Sequence, residues 1–221
     1  MMIRENYSRV KRAIEEAAIR SGRRSEEVKL LAVTKTVGIE EVRLAAALGI
    51  SDFGENRVQD AAEKVKAFPH LRWHFIGHLQ SNKVKDVLPH YVMIHSLDRI
   101  SLARALQRWA ERMDREVETL VQVNVSGEES KFGLPPEELC PFLKKIEPFD
   151  RLKIRGLMTM APFCDDPENT RPCFRRLREL RDEAVQFGYE LVELSMGMTN
   201  DYPVAVEEGS TMVRIGTALF S

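Results

Sequence analysis

The chain has 221 residues, 43% of them hydrophobic and 30% charged, enough apolar side chains for a full core. Its 33 basic and 34 acidic residues leave a net charge of −1, which gives no electrostatic case for nucleic acid or a membrane surface as partner. No apolar run approaches the ~20 residues of a membrane span, and Cys140, Cys164 and Cys173, an odd set without CxxC spacing, read as free thiols of a reducing cytoplasm.

The opening stretch, MMIRENYSRVKRAIEEAA, is charged and amphipathic. It predicts a helix over 4–21 rather than an apolar signal peptide. Short apolar runs then alternate with amphipathic ones. The predicted strands are KLLAVTK (29–35), DFGEN (52–56), RWHFIGH (72–78) and VMIHSLD (92–98), then ETLVQVNV (118–125), LKIRGLMT (152–159), LVELSMGM (191–198) and MVRIGTALF (212–220). Rich in Val, Ile, Leu and Phe without strict alternation, they suit strands covered on both faces.

Helical spacing fills the gaps. Residues 39–48 carry acids early and apolar residues after them. Residues 99–113 place Leu102, Leu106, Trp109 and Met113 on one face, and 171–187 do the same with Phe174, Leu177, Leu180, Ala184 and Phe187. The arginines of that last stretch (171, 175, 176, 178, 181) interleave with Glu179, Asp182 and Glu183, the pattern of a solvated face rather than a nucleic-acid surface. Eight βα units predict an α/β fold: a single (β/α)8 TIM barrel, one domain over 1–221. The last strand reaches the C-terminus, so no helix is expected after it, and the extra N-terminal helix is expected to fill that place. An open doubly wound sheet is the competing architecture, but no GxGxxG follows the first strand.

In such a barrel, chemistry sits at the C-terminal strand ends. Those ends carry Lys35, Gly54-Glu55-Asn56, Gly77-His78, His95-Ser96, Asn124, Met158-Thr159, the run Ser195 to Thr199, and Arg214, Gly216 and Thr217. Ser195 and Gly197 ahead of a predicted helix near 201–208, with Gly216-Thr217 after the next strand, form a pattern suited to a phosphate. The same glycines also fit ordinary turns. Lys35 is either a solvated strand-end lysine or an amine placed to form a Schiff base, which desolvation and nearby cations favour. His78 is either structural or part of a site. Arg214, inside the apolar VRIG, needs a partner: a salt bridge, or the pyridine nitrogen of a cofactor. A metal site is not expected: there is no HExxH, and His74 and His78 lie four apart in a strand, where the rings do not converge.

The segments AVTK (32–35), FGENRVQD (53–60), WHFIGHLQSNK (73–83), KFG (131–133), GLMTM (156–160), LSMGM (194–198) and STMVRIGTALF (210–220), in this order, resemble the pyridoxal-phosphate homeostasis protein family. The barrel of that family is related to the N-terminal domain of alanine racemases. The resemblance covers about 28 to 220. It implies that Lys35 carries pyridoxal 5′-phosphate as a Schiff base, that Ser195, Gly197, Gly216 and Thr217 lie around the phosphate, and that Arg214 faces the pyridine nitrogen. Asn56 and His78 fall in family motifs near the cofactor. Thr199-Asn200 departs from the serine and small or acidic residue expected after SMGM, and Ser221 stands where a glycine is usual.

An arginine donating to the ring nitrogen keeps that nitrogen unprotonated and the ring a poorer electron sink. Alanine racemases bring a second base from a β domain that is expected to be absent here. The expected function is storage, delivery or buffering of vitamin B6 by a cytoplasmic monomer, with apo-enzymes as recipients and no firmly assigned catalytic residue. A weak or specialised amino-acid racemase is the alternative. A Schiff-base aldolase shares the barrel parts but does not predict Arg214.

Overall fold

The computed structural model describes residues 2–221. Eight parallel strands close into a barrel in chain order. They are β1 (Lys29–Val33), β2 (Asp52–Glu55), β3 (Arg72–Phe75), β4 (Met93–Leu97), β5 (Val117–Gln122), β6 (Leu152–Met158), β7 (Glu193–Met198) and β8 (Met212–Ile215). β8 returns to pair with β1, Leu31 opposite Arg214, so no edge is left open. The predicted fold class and all eight predicted strand positions are met, with strand ends shorter by up to five residues.

The helices outside the barrel are α1 (Met2–Arg20), α2 (Ile39–Ala47), α3 (Val58–Ala67), α4 (Val84–Val87), α5 (Ile100–Arg112), α6 (Leu139–Ile146), α7 (Arg171–Gln186), α8 (Tyr202–Glu207) and α9 (Thr217–Phe220). Their apolar stripes face the strands. On α5, Leu102 and Leu106 are fully buried, while Trp109 and Met113 are only partly so. On α7, Phe174, Leu177, Leu180 and Ala184 are buried as the spacing predicts. Phe187 is not: it falls beyond the last turn and is 75% exposed.

The expectation for the last segment needs correction. The predicted strand over 212–220 stops at Ile215, and a one-turn helix, α9, does come after it. Gly216 breaks the strand, and the residues after it wind back toward α1. There Asn6 Nδ2 donates to the carbonyls of Leu219 (3.2 Å) and Ser221 (2.9 Å), satisfying groups that a chain end leaves unpaired. The N-terminal helix thus covers the last unit by capping it, together with packing on α8.

The barrel interior is divided. Met93, Leu120, Met158 and Met212 form an apolar cluster from β4, β5, β6 and β8. Beside it lie buried polar side chains: His74, His95, Ser195 and Arg214. Burial of this kind is stable only where each polar group has a partner.

The basic residues of α7 are ion-paired more widely than the pattern within the helix suggests. Arg176 does pair along the helix with Glu179 and Glu183. Arg171, Arg175 and Arg178 instead converge on Glu208, just past α8, with Glu207 also meeting Arg171. Among the described residues no helix is long and apolar enough to cross a membrane.

Candidate functional site

A cavity of about 610 Å³ opens at the C-terminal ends of the strands. Lys35, Asn56, His78, Arg214, Gly216 and Thr217 all line it. Six of the residues singled out from sequence are therefore brought together by the closing of the barrel.

Lys35 is exposed to the cavity mouth, but the residue before it is anchored. Thr34 is fully buried, and its hydroxyl donates to Glu55 Oε1 at 2.6 Å. Lys64 of α3 donates to the Thr34 carbonyl at 2.6 Å and pairs with Glu55 at 2.5 Å. The strand end is thus tied to a buried ion pair, and the next residue, the lysine, is left facing the cavity.

Asn56 comes directly after Glu55 at the end of β2, and Gly77 lies against it. A side chain at Gly77 would overlap the Asn56 backbone, so only glycine allows this approach. His78 is held by two neighbours. Its ring stacks on Phe132 at 4.0 Å, and Nδ1 is 3.7 Å from Asp98 Oδ2. Burial and then the Arg99 charge lower its pKa, against the pull of Asp98, and so favour the neutral imidazole.

Arg214 is 3% exposed and points into the barrel from β8. Nη1 donates to Ser195 Oγ at 2.7 Å and Nη2 to the Thr159 carbonyl at 2.8 Å. Neither acceptor is charged. Burial pushes this guanidinium down to about 10, with Asp201 opposing, which still leaves it charged at neutral pH. Two of its five N–H groups are used in these bonds, and the side chain lines the cavity.

Ser195 and Gly197 do not stand where the spacing suggests. Ser195 is fully buried inside the barrel, accepting from Arg214 and in contact with His95 Nδ1 at 3.0 Å. Neither it nor Gly197 lines the cavity. The reason is a bulge. Ser195 pairs with Met212 and Met198 with Arg214, so β7 spends one residue more than β8 over this step. Gly197 takes up the bend at φ +93°, and a Cβ there would sit 2.5 Å from that of Ala205 on α8. Beyond the bulge Thr199 and Asn200 reach the cavity.

The backbone N–H groups of Thr199, Asn200 and Thr217 donate to no acceptor among the described residues. Together with Gly216 they form a cradle of free donors suited to an anion. Asp201 lines the cavity beside them, its carboxylate accepting from the Met198 N–H at 2.6 Å. Burial raises its pKa, opposed by that hydrogen bond and by Arg214. Asp201 is not marked by the sequence pattern, and its nearness to the end of β7 was the available signal; Phe132 lies in the KFG segment but was given no role there.

An amine, a buried guanidinium and an anion cradle thus face one cavity. A family model described as alanine racemase, N-terminal domain, matches residues 3–221. The chain belongs to the alanine racemase N-terminal domain family.

Within that family the similarity extends over whole chains. A pyridoxal phosphate homeostasis protein of Aquifex aeolicus is 46% identical, covering 98% of this chain and 96% of its own. A crystal structure of a Bifidobacterium adolescentis protein superposes with a TM-score of 0.94 at 38% identity, covering 99% of this chain and 94% of that one. PipY of Synechococcus elongatus, solved with PLP bound, gives a TM-score of 0.82 at 37% identity, over 95% of this chain and 99% of its own.

Proposed function

We propose that this chain binds pyridoxal 5′-phosphate and serves its intracellular homeostasis by storing, delivering or buffering it. The observation that carries this reading is the convergence of Lys35, Arg214 and the Thr199–Asn200–Thr217 donors on one cavity. When bound, pyridoxal phosphate supplies an aldehyde that condenses with amines and an aromatic ring that can delocalise charge. The residues present fit it. Lys35 offers the primary amine that holds the aldehyde. The free N–H groups of Thr199, Asn200 and Thr217, with Gly216 and the Thr217 hydroxyl, would bind the phosphate. Arg214 keeps donors that would serve the ring nitrogen, and Asn56 and His78 line the same cavity and would help to hold the ring. Ser195 acts through Arg214, and Gly197 by shaping the turn. The names of the relatives, and PLP in PipY, support the same assignment.

We read residues 1–221 as one cofactor-binding domain that works as a monomer in the cytoplasm and passes its cofactor to apo-enzymes. A guanidinium at the ring nitrogen supports a carrier over an efficient catalyst, because it cannot give the ring a proton. The barrel shared with racemases, and Lys35 beside the bound group as a base, favour weak racemisation as the second reading.

The test is direct. Purified protein should be yellow, and borohydride should fix a pyridoxyl group on the peptide carrying Lys35. Attachment at Lys83 or Lys131 would overturn the assignment. Incubation with amino acids in D₂O separates the two functions. Negligible α-deuterium uptake, with transfer of cofactor to an apo-enzyme, supports the carrier. Fast exchange with inversion, lost in Lys35→Ala, makes the protein a racemase.

A further inference from the structure

Behind Arg214 an unbroken line of side chains crosses the barrel, buried except at its far end. His95 Nδ1 lies 3.0 Å from Ser195 Oγ, His95 Nε2 lies 3.0 Å from His74 Nδ1, and His74 Nε2 lies 2.9 Å from Asp52 Oδ1. His74 and His95 are at most 1% exposed. Asp52 is the first residue of β2 and lines a second cavity at the opposite end of the barrel.

The two ends of this line are fixed: Arg214 only donates, and the Asp52 carboxylate only accepts. Ser195 Oγ therefore accepts from Arg214, and we assign its own proton to His95 Nδ1, its other hydrogen-bond partner among the described residues. Burial, with His74, Arg214 and Lys29 adding, holds His95 well below the ordinary imidazole range, so its ring is neutral. A neutral ring that accepts at Nδ1 must donate from Nε2, to His74 Nδ1. His74 in turn donates from Nε2 to Asp52. Burial opposes ionisation of Asp52, but bonds from His74, Ser51 and Arg72 outweigh it and keep the carboxylate charged.

We infer that His95, His74 and Asp52 are positioning residues for Arg214, a one-way hydrogen-bonded line that fixes its guanidinium against the cofactor and sets the polarity that the ring nitrogen meets. The inference rests on the proposed binding of pyridoxal phosphate. Arg214 has no carboxylate among its own hydrogen-bond acceptors, and this line ends on one. Chains of hydrogen bonds polarise one another in a low-dielectric interior, so a charge at the far end is felt at the near end.

Two measurements test it. Long-range ¹⁵N–¹H correlation of the cofactor-free protein should show both His74 and His95 as Nε2–H tautomers; an Nδ1–H tautomer at either ring overturns the line, whatever the protein binds. In the loaded protein, Ser195→Ala should raise the Kd for pyridoxal phosphate about tenfold or more and shift the visible absorption maximum. Asp52→Asn, at the other end of the barrel, should shift that maximum as well, which a purely local structural role would not do. Maxima unchanged in both variants overturn the positioning role. Wild-type protein that binds no pyridoxal phosphate defeats the proposed function instead, and the tautomers still judge the line.

Discussion

Lys35 is aimed by its neighbours rather than by bonds of its own. Thr34, Glu55 and Lys64 fix the backbone before it, and the lysine side chain is left to the cavity. Lys35→Ala should therefore fold normally yet lose the yellow colour and the borohydride-fixed pyridoxyl group; peptide mass spectrometry of the reduced protein checks both. His95 carries a pH consequence. Buried beside His74, Arg214 and Lys29, its pKa lies well below 6.5, so the unfolded chain takes up a proton near that pH that the native chain refuses. Its contribution to stability is present in full above about pH 6.5 and is lost as the pH falls below it, at up to about 1.4 kcal/mol per pH unit. Urea midpoints measured down from about pH 7.5 should fall accordingly. His95→Gln, which keeps a donor and an acceptor but does not titrate, should flatten that slope. Sequence pattern marked His95 as a strand-end residue but not as a buried one, because exposure of a barrel-facing side chain depends on what fills the interior beside it.

At the scale of elements, α3 is fastened to β1 and β2 through Lys64, whose side chain is 6% exposed, and Glu55, which is fully buried. Removing one member leaves the other charge desolvated. Lys64→Met should cost about 3–5 kcal/mol in urea unfolding. Adding Glu55→Gln to it should recover much of that loss, since a neutral amide still accepts from Thr34. A cost below about 1 kcal/mol for the single change would place the pair in solvent. The α7 arginines behave differently. Arg171, Arg175 and Arg178 keep side-chain exposures of 24–52%, so Arg175→Ala should leave the urea midpoint nearly unchanged. Their helical face was legible in the sequence. Their partner Glu208 was not, because it lies about thirty residues away and only the docking of α8 on α7 brings it near.

At the scale of the whole molecule, residues at or just beyond the ends of seven of the eight strands line one mouth, so a ligand bound there ties together parts of the chain as distant as Lys35 and Thr217. Binding to the native state alone raises stability by about 2.7 kcal/mol at a hundredfold excess over Kd. For a chain of this length that corresponds to roughly 5–10 °C in Tm. Pyridoxal phosphate should produce that shift, and pyridoxal at equal concentration far less, because the Thr199, Asn200 and Thr217 donors then have no phosphate to bind. Equal shifts would mean that the cradle is not used. What the sequence by itself determined is the alternation of eight strands with helices and the placing of Lys35, Asn56, His78, Arg214, Gly216 and Thr217 at strand ends. Apolar periodicity and glycine placement are local properties, and in a parallel barrel they already specify which end of each strand is the mouth. Only the tertiary structure decided that Ser195 turns inward at a bulge and that Asp52, His74, His95, Ser195 and Arg214 form one line. Those five residues come from β2, β3, β4, β7 and β8. Whether they touch depends on strand register and on the tilt of the closed sheet, which no local pattern encodes.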